Sequence, residues 1–516
     1  MSKPDYLTDV PYLRGFIADL SPARLRLVAA LNGFLSPAPE DFDYCELGAG
    51  HGDTLVTLAA AYPRARFVGV DLLPEHIATA RELATQGDLS NVQLLQCDFA
   101  DLAGRELPQF DYIVAHGVLS WIGPDKRQAL LELASSRLKP GGLLYVGYNA
   151  LPGWAALEPL RRLLADRAVA VKGDVLERAR LALGLAKGLG DAAADYFTEN
   201  PSAKELLTTV AQVGLPYIAH EFLQTHWTPM YFADVAYEMA AKELYFIGQL
   251  PLYLNFRDLA IAPSLLPIFQ SVTDRVAFES LLGYALNQSF RRDVYFKGKV
   301  THSSTATHAY LDSTVFGALS AAPMARSVAL PHYTLQFVGK VFDVLLPFLG
   351  QGATTISALL QHSELSGFSQ QTLRDAIMRL LICGQLSPLL RPTRAIQEVG
   401  TGLCRVPLAY NRMLLQRRLT TGTPIALASC AAGTGIAFSM LQGVALRLLT
   451  EVAPADRPLW IGKLLETQPF RIKMGDSTID DDKTPAGALL EEVERFRVQH
   501  LPKLLELGIL EQPSTG

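Results

Sequence analysis

Strand-like and helix-like hydrophobic patterns alternate over the first 150 residues of the chain. Short apolar runs typical of fully buried strands occur at 42–47, 66–71, 91–96, 110–115 and 143–148. Apolar positions three and four residues apart predict helices over 53–62, 74–87 and 124–138, and Ser21-Pro22 has the residue types of an N-cap and first turn. Strands that alternate with helices in this way predict a parallel sheet covered by helices on both faces.

The pattern changes after residue 154. Residues 155–240 are rich in Ala and Leu with scattered charges, which predicts a helical insertion for substrate binding or dimerisation. Strand-like runs return at 244–250 and 293–297, and we expect this segment, 241–302, to complete the sheet. From 303 to 516 the pattern predicts a separate, mostly helical region. The predicted organisation is therefore 1–154, 155–240, 241–302 and 303–516.

Two segments of the C-terminal region resemble each other. Residues 379–386 read RLLICGQL, and residues 503–510 read KLLELGIL. A helix that ends in glycine and is followed by an apolar strand is the second half of a winged-helix unit. Two degenerate winged-helix-like units are one interpretation, and chance similarity between two Leu-rich helix ends is the other.

Composition narrows the class of protein. The chain has 46 basic and 51 acidic residues, a net charge of −5, which argues against a broadly basic surface for nucleic acid. Five widely spaced cysteines without a CxxC pair indicate reduced thiols and no metal site. Residues 419–446 carry no charge, but their Gly, Pro, Thr and Ser content favours a buried core or interface segment over a transmembrane helix. We expect a cytoplasmic protein with neither signal peptide nor membrane span.

The strongest chemical signal is the segment Glu46-Leu-Gly-Ala-Gly-His-Gly-Asp53, between a predicted strand and a predicted helix. Gly48, Gly50 and Gly52 would let the backbone turn tightly and approach a ligand at the helix N-terminus. A dinucleotide site would place its third glycine at position 53, where Asp stands. An acid at Glu46 followed by alternating glycines matches instead the loop that binds S-adenosylmethionine, whose amino group an acid can bind.

Further candidate cofactor residues follow the ends of the later strands. Asp71 ends the second strand, with Leu72 beside it, and could accept hydrogen bonds from ribose hydroxyls. After the third strand, Asp98 could accept from an adenine amine and Phe99 could flank the ring. His116 follows the fourth strand. Because ligands of open parallel sheets bind at the carboxyl ends of the strands, we predict one cofactor site from these residues.

These features, in this order, resemble the class I S-adenosylmethionine-dependent methyltransferases over residues 40–150. The segments 9–12 (DVPY), 116–121 (HGVLSW) and 148–154 (YNALPGW) are similar to a bacterial subgroup whose catalytic domain is joined to a methyltransferase regulatory domain. Residues 220–223 and 291–293 are similar to parts of that second domain. The subgroup includes rickettsial protein-lysine methyltransferases. The resemblance implies a Rossmann-like, doubly wound sheet of seven strands, S-adenosylmethionine as methyl donor and a protein lysine as acceptor.

Aromatic and polar residues after the fourth and fifth strands are candidates for contact with the acceptor. His116 could act as a base or hydrogen-bond the cofactor, and we predict catalytic roles for His116, Trp121 and Tyr148. Trp121 and Trp154 could form walls around an alkyl-ammonium group by cation–π contact, with Asn149 beside them. The alternative for each tryptophan is that it packs a loop onto the core.

The remaining signals leave alternatives open. Tyr12 could belong to an N-terminal lid over the cofactor, or be a plain aromatic staple. A zinc protease would need its second histidine after His220-Glu221 at position 224, where Gln stands, so no metal is predicted. The leading hypothesis is a homodimeric protein-lysine N-methyltransferase. A small-molecule methyltransferase and a non-catalytic cofactor-binding scaffold are the alternatives.

Overall fold

A seven-stranded mixed sheet organises the N-terminal part of the molecule. The computed structural model describes residues 14–35, 37–298, 302–396, 398–418, 424–467 and 485–512. The strands of the sheet are β1 (Asp43–Leu47), β2 (Arg66–Asp71), β3 (Val92–Gln96), β4 (Phe110–His116), β5 (Leu138–Asn149), β6 (Leu244–Gln249) and β7 (Phe290–Lys297). Their order is β3-β2-β1-β4-β5-β7-β6, and β7 runs antiparallel to both of its neighbours. The predicted seven-stranded sheet, completed by two strands after residue 240, is confirmed.

Helices cover the sheet and fill the long connection between β5 and β6. They are α1 (Pro22–Leu31), α2 (Asp53–Ala61), α3 (Pro74–Gln86), α4 (Pro124–Arg137), α5 (Glu158–Ala170), α6 (Val175–Asp191), α7 (Asp195–Glu199), α8 (Pro201–Val213), α9 (Leu215–Phe222), α10 (Phe232–Ala240), α11 (Arg257–Ala260), α12 (Leu266–Phe269) and α13 (Arg275–Ala285). Short 3-10 helices lie at Ala18–Leu20, Phe99–Gly104, Leu119–Trp121, Leu252–Asn255, Pro263–Leu265 and Pro454–Asp456. The residues from 155 to 240 are mostly helical, as expected, while the domain boundaries stay predictions.

The two faces of the sheet are covered by different parts of the chain, because successive strand residues point to opposite sides. Tyr112 and Tyr145 belong to a large apolar cluster that includes α1, α2 and many residues after 303. Ile113, Val146 and Tyr148 belong to a second cluster, with residues of α4 and α10. Because of this alternation, Tyr145 packs with α1, α2 and residues after 303, whereas Val146 and Tyr148 pack with α4 and α10.

β5 differs from its prediction by beginning at Leu138 rather than Leu143. Leu138 pairs with Phe110, and the register of β4 and β5 then shifts before Tyr112 pairs with Leu143. The stretch around Gly141, whose φ is +82°, lies within this irregular part of the strand. An extra-residue irregularity of this kind lets a strand continue through residues that would otherwise end it.

The C-terminal region is mostly helical, as expected. Its elements are α14 (Ser304–Ser313), β8 (Val315–Gly317), β9 (Ser327–Ala329), β10 (Thr334–Gln336), α15 (Lys340–Leu349), α16 (Ile356–Gln361), α17 (Gln370–Ile382), β11 (Ser387–Leu389), α18 (Ala409–Arg418), β12 (Ile425–Ser429), β13 (Thr434–Phe438), α19 (Met440–Glu451), α20 (Arg457–Thr467) and α21 (Pro485–Glu506). α17 and α21 are each followed, two residues after the helix ends, by a glycine with positive φ, Gly384 and Gly508. β11 then pairs with β8, and Glu511 bridges to Arg405, so both similar segments have the order helix, turn and extended pairing.

The uncharged stretch that begins at 419 contributes to the core. Its described part forms the antiparallel pair β12–β13 and the first turns of α19, and the pair packs against α2. The Ser21 hydroxyl donates to the Gly433 carbonyl at 2.8 Å, so it does not cap α1 as its position suggests. Among the described residues, no helix has the length and apolarity needed to cross a membrane.

Candidate active site

A cavity of about 520 Å³ opens where β1, β2, β4 and β5 end. The sequence-predicted site residues that line it are Glu46, Gly48, Gly50, Asp71, Leu72, Asp98, Phe99, His116, Trp121, Asn149 and Trp154. The structure thus brings together residues spread over more than 100 positions of the chain. Gly52 and Tyr148 do not line the cavity, and Tyr12 lies outside the described residues.

The glycine loop has the backbone conformation that its sequence suggests. Gly48, Gly50 and Gly52 have φ values of +78°, +54° and +76°, a region that other residues rarely adopt. A Cβ at Gly50 would meet nothing within 4 Å, so that position faces open cavity. A Cβ at Gly52 would come within 2.6 Å of the Ala80 side chain. The prediction that Gly52 contacts the cofactor is therefore corrected: Gly52 allows α2 to begin close to α3.

Asp71 fixes the loop to the end of β2. Its Oδ2 accepts a hydrogen bond from the Gly50 backbone N–H at 2.8 Å, and its Oδ1 accepts from the Leu73 N–H at 2.9 Å. The Nδ1 of buried His76 lies 3.1 Å from the same Oδ1. Asp71 thus orients the loop as well as presenting a carboxylate to the cavity.

Glu46 is a buried acid with one carboxyl oxygen that receives no hydrogen bond from the described residues. It is only 5% exposed, and its Oε2 has no hydrogen-bond partner among the described residues. Burial, followed by the negative charges of Asp71 and Asp53, raises the pKa of Glu46 to about 8. An unpaired buried carboxylate is costly, and a ligand ammonium group would satisfy it. The residues present therefore fit S-adenosylmethionine, whose amino group Glu46 would bind.

Asp98 is engaged by neighbouring groups at the edge of the same cavity. One oxygen accepts from the Ala100 N–H at 3.2 Å, and the other lies 2.7 Å from the Lys126 ammonium. Burial opposes ionisation of Asp98, but these two interactions outweigh it and hold its pKa below the usual value. Phe99, half-buried, follows directly and also lines the cavity.

His116 lies at the end of β4 as a neutral imidazole. Its Nδ1 is 2.8 Å from the Tyr145 hydroxyl, and burial lowers its pKa to about 4. A group with that pKa is a poor general base for an ammonium group, because efficient proton transfer needs better matched pKa values. Of the two roles considered from the sequence, the geometry favours hydrogen bonding to a ligand.

Tyr148 is not part of the site, contrary to its predicted catalytic role. Its ring is fully buried, and its hydroxyl donates to the Asp293 Oδ2 at 2.7 Å. Asp293 in turn accepts from the guanidinium of Arg291, which is itself buried. Tyr148 and Asn149 are consecutive strand residues and so point to opposite sides, and only Asn149 reaches the cavity.

The N-terminal segment approaches the glycine loop. Arg14 forms an ion pair with Asp53 at 2.8 Å, and the Ile17 backbone N–H donates to the Thr54 hydroxyl at 3.0 Å. Gly15 and Ile17 line the cavity. The lid proposed for Tyr12 stays a prediction, but the residues that follow it do reach the site.

Sequence reasoning missed one wall of the cavity. Tyr217, His220 and Glu221 of α9 line it, as does His226. From the sequence, the segment 220–226 gave only a rejected zinc spacing and the resemblance of 220–223 to the regulatory domain, with no role in the site. A usable signal was present, because 217, 220 and 221 have the i, i+3, i+4 spacing of one helix face.

Comparison with known proteins supports the fit of this cavity to S-adenosylmethionine. A family model described as a methyltransferase domain matches residues 45–144, and one described as a predicted methyltransferase regulatory domain matches 215–297. An uncharacterized protein of Synechocystis sp. is 31% identical over 511 residues, which cover 98% of this chain and 99% of the relative. An uncharacterized protein of Rickettsia prowazekii is 26% identical over 288 residues, 55% of this chain and 51% of that one.

A solved structure shares the whole fold. PKMT2 from Rickettsia typhi, in complex with AdoHcy, superposes with a TM-score of 0.74 at 20% identity, covering 97% of this chain and 100% of that chain. The protein is a class I S-adenosylmethionine-dependent methyltransferase, as its sheet order, its glycine loop and its match to the methyltransferase-domain model show. The chain belongs to the family in which this catalytic domain is joined to a methyltransferase regulatory domain, and it resembles the rickettsial-type members.

Proposed function

We propose that this methyltransferase methylates the side-chain nitrogen of lysine in a protein acceptor. The observation that carries the proposal is a group of cavity-lining residues other than those suited to the cofactor, which we call the acceptor part. There the lining includes the aromatic rings of Trp121, Trp154 and Tyr217 together with the amide of Asn149 and the carboxylate of Glu221. Aromatic faces with a few polar groups suit an alkyl chain that ends in an amine.

The chemistry of methyl transfer explains why such a lining is useful. S-adenosylmethionine, when bound, supplies an electrophilic methyl group, so the protein mainly has to align a nucleophile with it. A lysine nitrogen must lose a proton to solvent before its lone pair can attack the methyl carbon and displace the sulfur. Trp121 and Trp154 are 7% and 9% exposed, and such apolar surroundings disfavour the charged form of an amine.

Asn149 is held so that its side chain is available to a ligand. Its backbone N–H donates to the Ser120 hydroxyl at 2.9 Å, and its carbonyl accepts from the Met230 N–H at 3.0 Å. The buried Nδ2 has no hydrogen-bond partner among the described residues. A buried side-chain amide that lines a cavity with its N–H groups unpaired is a good candidate for binding a polar group of the acceptor.

The test is transfer of a tritiated methyl group from S-adenosylmethionine to a dialysed cell lysate, with and without added small-molecule extract. We expect label in the protein fraction, recovered as methyl-lysine after acid hydrolysis, and its loss with Asp71→Ala. Label confined to the organic extract would favour a small-molecule acceptor and contradict the proposal. Labelled protein without methyl-lysine would contradict the choice of lysine.

The homodimer and the cytoplasmic location stay predictions. Exposed apolar side chains on α5, α6 and α8 would suit a dimer interface formed by the insertion: Val169, Leu185, Leu189 and Val213. Light scattering on the purified protein would measure the oligomeric state directly. A monomer at micromolar concentration would contradict the dimer.

A further inference from the structure

α9 presents a polar face to the cavity from within the helical insertion. Tyr217, His220 and Glu221 line the cavity, and their spacing places them on one side of the helix. Ile218 and Phe222, which are fully buried, anchor the other side in the core of the insertion. A helix anchored in this way holds its cavity-facing side chains in place.

Aromatic packing ties this helix to the end of the catalytic domain. The Phe222 ring lies 6.2 Å from that of Trp154 and 6.3 Å from that of Tyr217. Trp154 also packs edge-to-face against Trp227 at 5.0 Å. Because Trp154 itself lines the cavity, the position of α9 is fixed relative to the cavity wall.

The acidic residues of the cavity can be distinguished by where they come from. Glu46, Asp53, Asp71 and Asp98 lie in the catalytic domain. Glu221 comes instead from α9 and lies among the aromatic residues of the acceptor part.

We propose that Glu221 is the specificity residue for a cationic acceptor: its carboxylate binds the ammonium group of the incoming lysine side chain on arrival, before that nitrogen loses its proton to solvent and attacks the methyl group. This inference rests on the proposed function and names the residue that selects the substrate class. Glu221 is 8% exposed, so its charge is only weakly screened by solvent. Burial and the negative charge of Glu221 together raise the pKa of Tyr217 to about 12, so the neighbouring phenol remains a neutral hydrogen-bond donor.

With Glu221 in this role, the second domain takes a direct part in acceptor recognition. The match to the regulatory-domain model begins at residue 215, the first residue of α9. The acceptor wall would therefore belong to that domain, while the glycine loop belongs to the catalytic domain. A change in the regulatory domain could then alter the choice of acceptor without altering cofactor binding.

The experiment compares Glu221→Gln with Glu205→Gln, a matched control at an exposed position on α8. The probe is the dialysed lysate protein, either untreated or with its lysines neutralised by acetylation. For Glu221→Gln we expect the half-saturating concentration of untreated protein to rise about tenfold, with unchanged S-adenosylmethionine affinity by calorimetry. Glu205→Gln should match the wild type, and Glu221→Asp should recover part of the loss because it keeps the charge.

Each outcome decides a different point. Wild-type kinetics in Glu221→Gln, or equal losses in the Gln and Asp variants, would overturn the role of Glu221 while leaving lysine methylation standing. Labelling of acetylated protein by the wild type as strongly as untreated protein would overturn lysine methylation and this inference together.

A measurement on the wild type alone covers the case in which neither variant folds. n-Butylammonium should inhibit labelling of lysate protein at a concentration about ten times lower than its neutral analogue 1-pentanol. Equal inhibition by the two compounds would overturn the proposal.

Discussion

The two parts of the cavity are built in different ways. The cofactor part is formed by residues next to one another in sequence, such as the loop from Glu46 to Asp53, and by the ends of neighbouring parallel strands. The proposed acceptor part combines Trp121 and Trp154 with residues of α9, which the insertion brings back to the sheet. The first part therefore depends on local backbone geometry, and the second depends on tertiary packing. Substitutions should separate the two parts by their effects on cofactor affinity and on turnover.

The largest effect is expected for Gly50→Val. The backbone at Gly50 has φ +54°, which a β-branched residue adopts only with strain, and the new side chain would project into the cavity. We expect S-adenosylmethionine affinity to fall more than about 100-fold, the loss of roughly 3 kcal/mol of binding free energy or more. Isothermal titration calorimetry on the folded variant measures this loss.

Gly508→Val is the matched control. Gly508 has a similar φ of +65°, and a Cβ there also meets nothing within 4 Å, but the residue lies in the turn after α21 and does not line the cavity. Strain alone should lower its thermal stability and leave cofactor affinity unchanged. Equal losses of affinity in both variants would mean that strain, and not contact with the ligand, explains Gly50→Val.

The second prediction concerns Trp121 and the acceptor part. Trp121→Ala removes one aromatic wall and should lower turnover about tenfold while cofactor affinity changes less than twofold, because the wall aligns the acceptor in the transition state. Trp460→Ala is the control, since Trp460 lies on α20 and does not line the cavity. A parallel loss of cofactor affinity in Trp121→Ala would place Trp121 in the cofactor part instead.

The third prediction concerns the protonation state of Glu46. With a pKa of about 8 in the free protein, this carboxyl is mostly protonated at pH 7. Binding of an ammonium group favours its ionised form, so cofactor binding at pH 7 should release close to one proton, fewer as the pH rises above 8. Calorimetry in buffers of different ionisation enthalpy counts the protons. Glu46→Gln should release none, and unchanged proton release in this variant would contradict the assignment.

The sheet and the glycine loop could be predicted because their signals are local. Apolar runs, strand-end acids and the spacing of Gly48 and Gly50 each reflect the conformation of a few adjacent residues. For the wall formed by α9, local spacing shows that 217, 220 and 221 share one helix face, but nothing in the sequence near His220 states which distant element that face meets. The pair β12–β13 shows the same limit: its uncharged sequence predicted burial, but only the fold shows that it packs on α2.

Tyr148 is a different kind of error, because the sequence contained the information to avoid it. Tyr148 and Asn149 were both assigned to the acceptor site, although adjacent residues of one strand face opposite sides. Had Asn149 been taken as the cavity residue, the same alternation would have selected Tyr145 as the tyrosine on its side of β5. The structure places the Tyr145 hydroxyl 2.8 Å from His116, which does line the cavity.

The smallest effect on activity is therefore expected for Tyr148→Phe, and Tyr145→Phe is its natural comparison. Tyr148→Phe removes a hydrogen bond to the charged Asp293 within the buried cluster, which should lower the free energy of unfolding by about 2 kcal/mol and leave turnover unchanged. Tyr145→Phe removes the hydrogen bond to His116 and should lower turnover a few-fold. Chemical denaturation and steady-state kinetics on both variants measure the two effects. A loss of turnover in Tyr148→Phe at unchanged stability would restore its catalytic role and would mean that alternation along β5 does not decide which side chains act on the acceptor.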